Sequence, residues 1–110
     1  MDALLNATLA KMKLPVSRSL HTGNEDQFLV FNGGMQQEID FADDDAETEE
    51  YHYAVNLYSR KDYITQLQKL KKLLKQAGFV GITVQPDLYE EDTGYHHIPI
   101  DLHYKIIMED

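Results

Sequence analysis

Residues 51–78 read YHYAVNLYSRKDYITQLQKLKKLLKQAG, and two different hydrophobic periods follow one another along this stretch. The first eight residues alternate between two faces with a period of two, which is typical of a β-strand. From Ile64 to Ala77 the apolar residues recur every three or four positions, which is the pattern of an amphipathic helix. Gly78 follows directly, as a helix C-cap would. We therefore predict a strand that leads straight into a helix.

The junction between this strand and this helix has the sequence pattern of a helix start. Ser59 and Asp62 have the spacing of a capping box, in which the acidic side chain reaches back to the first residue of the motif. The helix is rich in lysine, and Lys69 and Lys72 fall on the side away from its apolar stripe. The sequence thus predicts a basic helix surface that faces solvent.

A second helix is predicted at the N-terminus, over residues 2–12. Asp2 can cap it, and Leu5, Leu9 and Met12 fall on one face. Lysine and proline at positions 13 and 15 end it, because the residue before a proline avoids the helical region.

Three strands are predicted between the N-terminal helix and an acidic stretch. They cover residues 16–20, 28–31 and 35–41, and turn-forming residues at 22–26 separate the first two. The Asn-Gly-Gly sequence at 32–34 is typical of a β-hairpin, so the second and third strands are expected to pair through it. Strands joined by such short turns pair antiparallel.

Two further strands are predicted after the Lys-rich helix, at 79–84 and 97–106. The second alternates cleanly, with Ile98, Ile100 and Leu102 on one face. Pro99 has no N–H to donate, so this strand is expected to be bulged there or to lie at an edge of the sheet.

These elements predict one α+β domain over residues 1–110. Its order is α-β-β-β-β-α-β-β, and the expected architecture is an antiparallel or mixed β-sheet with two helices packed on one face. A chain of 110 residues is long enough for one hydrophobic core.

Composition narrows the classes of function. The formal net charge of −9 disfavours binding to nucleic acids and to anionic membranes, which draw affinity from lysine and arginine. The sequence has no cysteine, which excludes disulfides and thiolate metal sites. The N-terminal residues lack the pattern of a signal peptide, and no apolar run approaches the ~18 residues that cross a bilayer. We expect a protein of the reducing cytoplasm, at least during synthesis.

Metal binding and catalysis have weak support in the sequence. The acidic run at 42–50 lacks the glycine and the spacing of a calcium-binding EF-hand loop. His97, Asp101 and His103 share a strand face, but the two histidines are about 20 Å apart at ~3.3 Å per residue. They cannot share a metal. The sequence has no nucleophile elbow or phosphate-binding loop. We expect no catalytic residue, no cofactor and no metal site.

Interaction with other proteins is the better-supported function. Tyrosine is enriched at protein interfaces, and the chain has seven. Tyr53 and Tyr104 lie on apolar strand faces and are expected in the core. Positive and negative charges are segregated between the Lys-rich helix and the acidic run. The residues predicted to make contacts are Asp43, Asp44, Asp45, Glu47, Glu49, Lys69, Lys72, Lys75, Tyr58, Tyr89 and Tyr95.

The order of motifs also resembles a known family. A short N-terminal helix leads to LPV at 14–16 and FLVF at 28–31, and YAVNLYS at 53–59 follows the acidic stretch. KDY at 61–63 opens the Lys-rich helix, and DLYEEDTGYH stands at 87–96. This pattern is similar to the tail-completion, or tail-terminator, proteins of long-tailed phages and prophages of Gram-positive bacteria. The similarity runs from about residue 3 to residue 106.

The resemblance implies a structural role in a virion. Such proteins form a hexameric ring at the head-proximal end of the tail, where they end tube growth and provide the docking surface for the head connector. The implied partners are copies of the chain itself, the major tail tube protein and the connector (stopper) protein, with DNA only passing through the lumen. An isolated subunit can be a monomer that assembles on the tube. Before assembly the protein would be in the host cytoplasm.

Two other functions stay open from the sequence. One is a neighbouring neck protein, an adaptor or a stopper. The other is an acidic DNA-mimic inhibitor, although the Lys-rich helix interrupts the acidic surface that a DNA mimic requires.

Overall fold

The computed structural model describes residues 1–38 and 47–108, and within these ranges the chain forms two helices and six strands. They are α1 (Asp2–Ala10), β1 (Val16–Arg18), β2 (Gln27–Glu38), β3 (Glu47–Ser59), α2 (Ile64–Gln76), β4 (Val80–Val84), β5 (Leu88–Tyr89) and β6 (His96–Met108). The strands form a mixed sheet in the order β1-β2-β3-β6-β4, and β5 also pairs with β6. The predicted α+β class is confirmed.

The predicted strand–helix unit is present as β3 and α2, but the capping box is wrong. The Ser59 hydroxyl is fully buried at the end of β3, where it donates to the Lys61 carbonyl and accepts from the Gln27 amide. The Asp62 carboxylate accepts from the backbone N–H of Ile64 instead, at 3.1 Å. Ser59 therefore belongs to the sheet, and Asp62 alone supports the start of the helix.

The Asn-Gly-Gly sequence at 32–34 does not form the predicted hairpin. β2 continues through it and pairs with β3 from Gln27 to Glu38, with a shift of register between Gly33 and Met35. Both glycines have positive φ, 104° and 93°, which β-branched or bulky residues rarely adopt. The glycine pair thus makes a β-bulge that bends one long strand, because the partner strand β3 is long enough to pair on both sides of it. The predicted strand at 35–41 is the second half of β2, and its residues 39–41 lie outside the described ranges.

β1 is shorter than predicted and runs parallel to β2, with Val16 beside Leu29. The expected antiparallel pairing is wrong here, because β1 is only three residues long and the eight residues that follow it can carry the chain back to the start of the strand. Ser19 has a φ of 68°, and Leu20 beyond it is exposed. Leu20 therefore does not share the buried face of β1.

β6 is a central strand, so the expectation that Pro99 marks an edge or a bulge is wrong. β6 pairs with β3 without interruption from His96 to Met108. On its other side, the β4 ladder ends at Ile100 and the β5 ladder begins at His97. Pro99 lies in the gap between those two ladders, and its carbonyl accepts from the Gln85 N–H at 2.8 Å. The missing N–H is therefore tolerated, because no strand residue needs it there.

Both helices pack on one face of the sheet, as predicted. The α1 residues expected to share a face are buried there, together with two leucines of α2. The buried aliphatic residues of this layer are Leu5, Leu9, Met12, Leu29, Val55, Leu57, Leu70, Leu74, Ile98, Ile100 and Leu102. Tyr53 is buried in the same layer and Tyr104 packs against it, which confirms their predicted place in the core. We name this side of the sheet the covered face and the opposite side the open face.

In the described parts of the chain, neither helix has both the length and the apolar character that a bilayer-spanning segment needs.

Candidate interaction surfaces

Four flat rings stack in a row across the open face. His21 stacks on Phe28 with 3.8 Å between ring centroids, Phe28 on Tyr58 with 4.7 Å, and Tyr58 on His97 with 4.4 Å. Strand pairing places Phe28 beside Tyr58 and Tyr58 beside His97. The register of β2, β3 and β6 therefore aligns three of the rings, and His21 joins them from the connection between β1 and β2. We name this arrangement the ring row.

Hydrogen bonds fix the His97 end of the ring row. His97 Nε2 lies 2.7 Å from Asn56 Oδ1, and the Asn56 amide donates to the Val30 carbonyl at 3.2 Å. Because Asn56 Oδ1 can only accept in this assignment, His97 carries its proton on Nε2. Burial lowers the pKa of His97, although the carboxylates of Glu90 and Asp87 act in the opposite direction. Burial likewise raises the pKa of the Tyr58 hydroxyl. Both side chains are thus favoured in their neutral forms.

The turn before β6 is held against this face by Arg60 and Tyr95. The Arg60 guanidinium lies 4.1 Å from the Tyr95 ring centroid and donates to the carbonyls of Thr93 and Asn24. The Tyr95 hydroxyl donates to the Glu25 carbonyl at 2.7 Å, and the Tyr95 ring is buried. Tyr95, one of the predicted contact residues, is therefore engaged within its own chain and offers little free surface.

Beside that turn, β5 presents two apolar side chains to solvent. Leu88 is 54% exposed and Tyr89 is 57% exposed. Next to them the Asp87 carboxylate accepts from the Tyr63 hydroxyl and lies 2.8 Å from His96 Nδ1. The bond to Asp87 raises the pKa of the Tyr63 hydroxyl. β5 is thus an exposed apolar segment, and the residue before it, Asp87, is held by contacts with Tyr63 and His96. Of the three tyrosines predicted to make contacts, Tyr89 is the most exposed.

The predicted basic surface is present on α2. Lys69, Lys72 and Lys75 are all exposed on this helix. Of the predicted acidic contacts, Asp43, Asp44 and Asp45 lie outside the described residues. Glu47 begins β3, and Glu49 is a half-buried residue of the same strand whose carboxylate accepts from the Tyr51 hydroxyl at 3.4 Å. Part of the acidic run is therefore strand.

A further group, which we name the Glu-His cluster, lies on the open face away from the ring row. It consists of Glu50 and His52 on β3 and His103 on β6. The Glu50 carboxylate is 2.9 Å from His52 Nε2 and 3.8 Å from His103 Nε2. Their three donor atoms lie within 4.8 Å of one another. Two imidazoles and a carboxylate in this arrangement form a donor set for a divalent transition metal.

The Glu-His cluster could not be predicted from the spacing of residues along β6, because the partners of His103 lie on another strand. His97 and His103 are separated, as expected, and contact different groups. The partner of His103 is His52, which lies opposite it on β3. Alternation along β3 places Glu50 and His52 on one face, so the signal was present, but only the register between β3 and β6 joins it to His103.

Comparisons with known proteins support the fold. No protein-family model matches the chain, and the search of curated proteins found no match. Among solved structures, the chain is similar to a chain in the virion of a native gene transfer agent particle, with a TM-score of 0.53 and 11% sequence identity. The likeness covers 97% of this chain and 91% of that chain. The protein therefore shares its fold with a component of that virion particle.

Proposed function

We propose that this chain is a structural virion protein that completes a phage-type tail tube at its head-proximal end, as a ring to which the head connector docks. The observation that carries the proposal is the shared fold with a chain of a gene transfer agent virion, over nearly the whole length of both chains. The sequence pattern of tail-completion proteins points independently to the same class of particle. The ring, its hexameric state and its partners belong to this proposal.

The surface of the protein is suited to assembly. Leu88 and Tyr89 form an exposed apolar segment, and a large aromatic side chain beside apolar surface is a common anchor at interfaces. The contacts of Asp87 with Tyr63 and His96 hold the start of this segment in place. A partner would therefore bind a preorganised surface. Binding through β5 would cost little conformational entropy.

Segregated charge suits a head-to-tail ring. The lysines of α2 are exposed on one element, whereas the acidic run enters β3 at Glu47. A heterologous contact joins two different patches and closes into a ring when the rotation divides the circle. We propose that the acidic run, including Asp43 to Asp45, lies near Lys69, Lys72 and Lys75 of the neighbouring subunit or of a tube subunit. Such contacts would set register and speed encounter.

The proposal is tested by mixing the purified protein with tubes assembled from the major tail protein of the same genome. Electron microscopy should show a ring at one end of each tube and no further growth from that end. Binding to an isolated head connector without binding to tubes would instead indicate an adaptor or a stopper. Capture of a basic DNA-processing enzyme, again without tube binding, would indicate the DNA-mimic alternative.

The charge contact is tested by reversing three lysines of α2 in the variant Lys69→Glu, Lys72→Glu, Lys75→Glu. We expect ring formation or tube capping to fall by at least about tenfold at low salt, because attractive pairs become repulsive. The matched control reverses three other exposed lysines, Lys11→Glu, Lys13→Glu and Lys61→Glu, which changes the net charge equally. Equal assembly by the two variants would remove the charge contact from the proposal.

A further inference from the structure

We propose that Glu50, His52 and His103 form a binding site for one divalent transition metal ion of the class to which Zn²⁺ belongs. The inference rests on the geometry of the Glu-His cluster and is independent of the proposed virion role.

The distances in the cluster are close to those of a metal site. Metal–ligand bonds of about 2.1 Å place neighbouring ligand atoms about 3.0–3.4 Å apart. Glu50 Oε1 and His52 Nε2 are already 2.9 Å apart, and Glu50 Oε1 and His103 Nε2 are 3.8 Å apart. Small side-chain rotations, with no change of backbone, would bring all three atoms to bonding distance of one ion.

The backbone holds the ligands in place. Glu50 and His52 are two residues apart on β3 and therefore point to the same face. His52 lies opposite His103 in the continuous β3–β6 ladder, with ring centroids 5.5 Å apart. A site built on two paired central strands loses little conformational entropy when it binds an ion.

Gly81 provides room for the third ligand. A Cβ atom at this position would overlap the His103 imidazole, so the ring lies where a side chain of β4 would otherwise stand. Gly81 also has a φ of 62°, in the left-handed region that favours glycine. The glycine thus lets His103 lie against the β4 backbone, where the β4 register shifts.

The charge of the cluster favours a cation. Glu50 is only 8% exposed, and its ion-pairing partners among the described residues are the two histidines. Buried charges are usually paired or coordinate metals. A divalent ion would pair with the Glu50 carboxylate, and the half-exposed His52 side chain leaves a path for the ion and for water ligands.

The donor set indicates the class of ion. Imidazole nitrogen suits Zn²⁺, Co²⁺, Ni²⁺ and Cu²⁺, whereas Mg²⁺ and Ca²⁺ prefer oxygen ligands alone. With three protein ligands, at least one coordination position stays open. A bound ion would cross-link β3 to β6 and stiffen the end of the sheet that leads into the acidic run.

The site is tested by titrating ZnCl₂ into the untagged, chelator-treated chain at pH 7.5 in a calorimeter. We expect one ion per chain, and affinity at least about tenfold weaker in each of Glu50→Gln, His52→Ala and His103→Ala. Gly81→Ala should weaken binding as well, because it displaces the His103 ring. The matched control is His96→Gln, a histidine outside the cluster, which should bind as the unchanged protein does.

A second measurement needs no variant. In imidazole-detected NMR of the unchanged protein, Zn²⁺ should shift the ring signals of His52 and His103 and leave those of His21, His96 and His97 unmoved. The proposal is overturned if the chain binds no Zn²⁺ at millimolar concentration, if all variants bind equally, or if the other three histidines are the ones that shift.

Discussion

The two faces of the sheet are built from the same strands but by different means. The covered face is filled by aliphatic side chains of β2, β3 and β6 that pack against α1 and α2. The open face has no helix over it in the described residues, and its buried hydrophobic side chains, Phe28, Val30 and Tyr95, pack with Tyr58. The first face obtains its stability from excluding water. The second depends on aromatic rings that stack on one another across neighbouring strands. A sheet face can therefore be ordered without a second layer, and it remains available for a partner or an ion.

The largest expected effect is the loss of stability when a side chain of the covered face is shortened and leaves a cavity. Leu57 on β3 is fully buried on the covered face. Leu57→Ala should lower the free energy of unfolding by about 3 kcal/mol, because the helices above it cannot collapse into the space. Urea unfolding followed by circular dichroism measures this loss. Leu20→Ala, at a residue 72% exposed, is the control and should change stability by less than about 0.5 kcal/mol. Equal losses would contradict the assignment of the core.

A smaller loss is expected on the open face when a ring is replaced by an aliphatic side chain. Phe28→Leu keeps most of the apolar volume but removes the ring contacts to His21 and Tyr58 and the edge contact to Tyr95. We expect a loss of about 1–2 kcal/mol, from ring pairs of about 0.5–1.5 kcal/mol each. Tyr89→Leu makes the same kind of change at a ring that is 57% exposed and has a tilted contact, to His96 at 4.9 Å, so its loss should be smaller than that of Phe28→Leu. If both variants are neutral in urea unfolding, the ring row contributes nothing to stability.

The smallest expected effect is a pH dependence of the free energy of unfolding that arises from His97 on the open face. Burial lowers the pKa of His97 in the folded chain relative to about 6.5 in the unfolded chain. Above pH 6.5 both states are neutral at this position and no stability is lost. As the pH falls below 6.5, the unfolded state binds the proton first, so the free energy of unfolding decreases until the pH has passed the lowered folded pKa.

The measurement is the urea midpoint between pH 7.5 and 5.0 for the unchanged protein and for His97→Gln. Glutamine keeps an N–H that can reach Asn56 but does not titrate. The unchanged protein should lose more stability on acidification than the variant, while the other histidines contribute equally to both. Parallel curves would show that His97 is protonated as easily in the folded state as in the unfolded state.

Several elements were predictable because their signals are local. Strand β3, helix α2 and the faces of β6 follow from periods of two and 3.6 residues, and the structure confirms them. The exposed lysines of α2 follow from the same helical period. The acidic residues 43–45 of the predicted contact surface lie outside the described ranges, so that part of the surface stays a prediction.

Other features were not predictable because they depend on what a segment pairs with. The glycine pair at 33–34 is typical of a turn. In the structure it forms a β-bulge, because β3 pairs with β2 on both sides of it. Proline is typical of edge strands because it has no N–H to donate. Pro99 is nevertheless tolerated in the central strand β6, because the β4 and β5 ladders leave a gap beside it.

The class of the fold, the apolar faces and the basic helix could be predicted from the sequence, because each depends on the spacing of residues that are close along the chain. Contacts between residues that are distant along the chain could not be predicted, because they depend on how the strands pair. Phe28 joins Tyr58, and His103 joins His52 and Glu50, through the register of antiparallel strands, and a shift of one residue would have turned these side chains to the other face. Register is set by packing of the whole sheet, and for this reason the ring row and the Glu-His cluster were visible only in the folded chain.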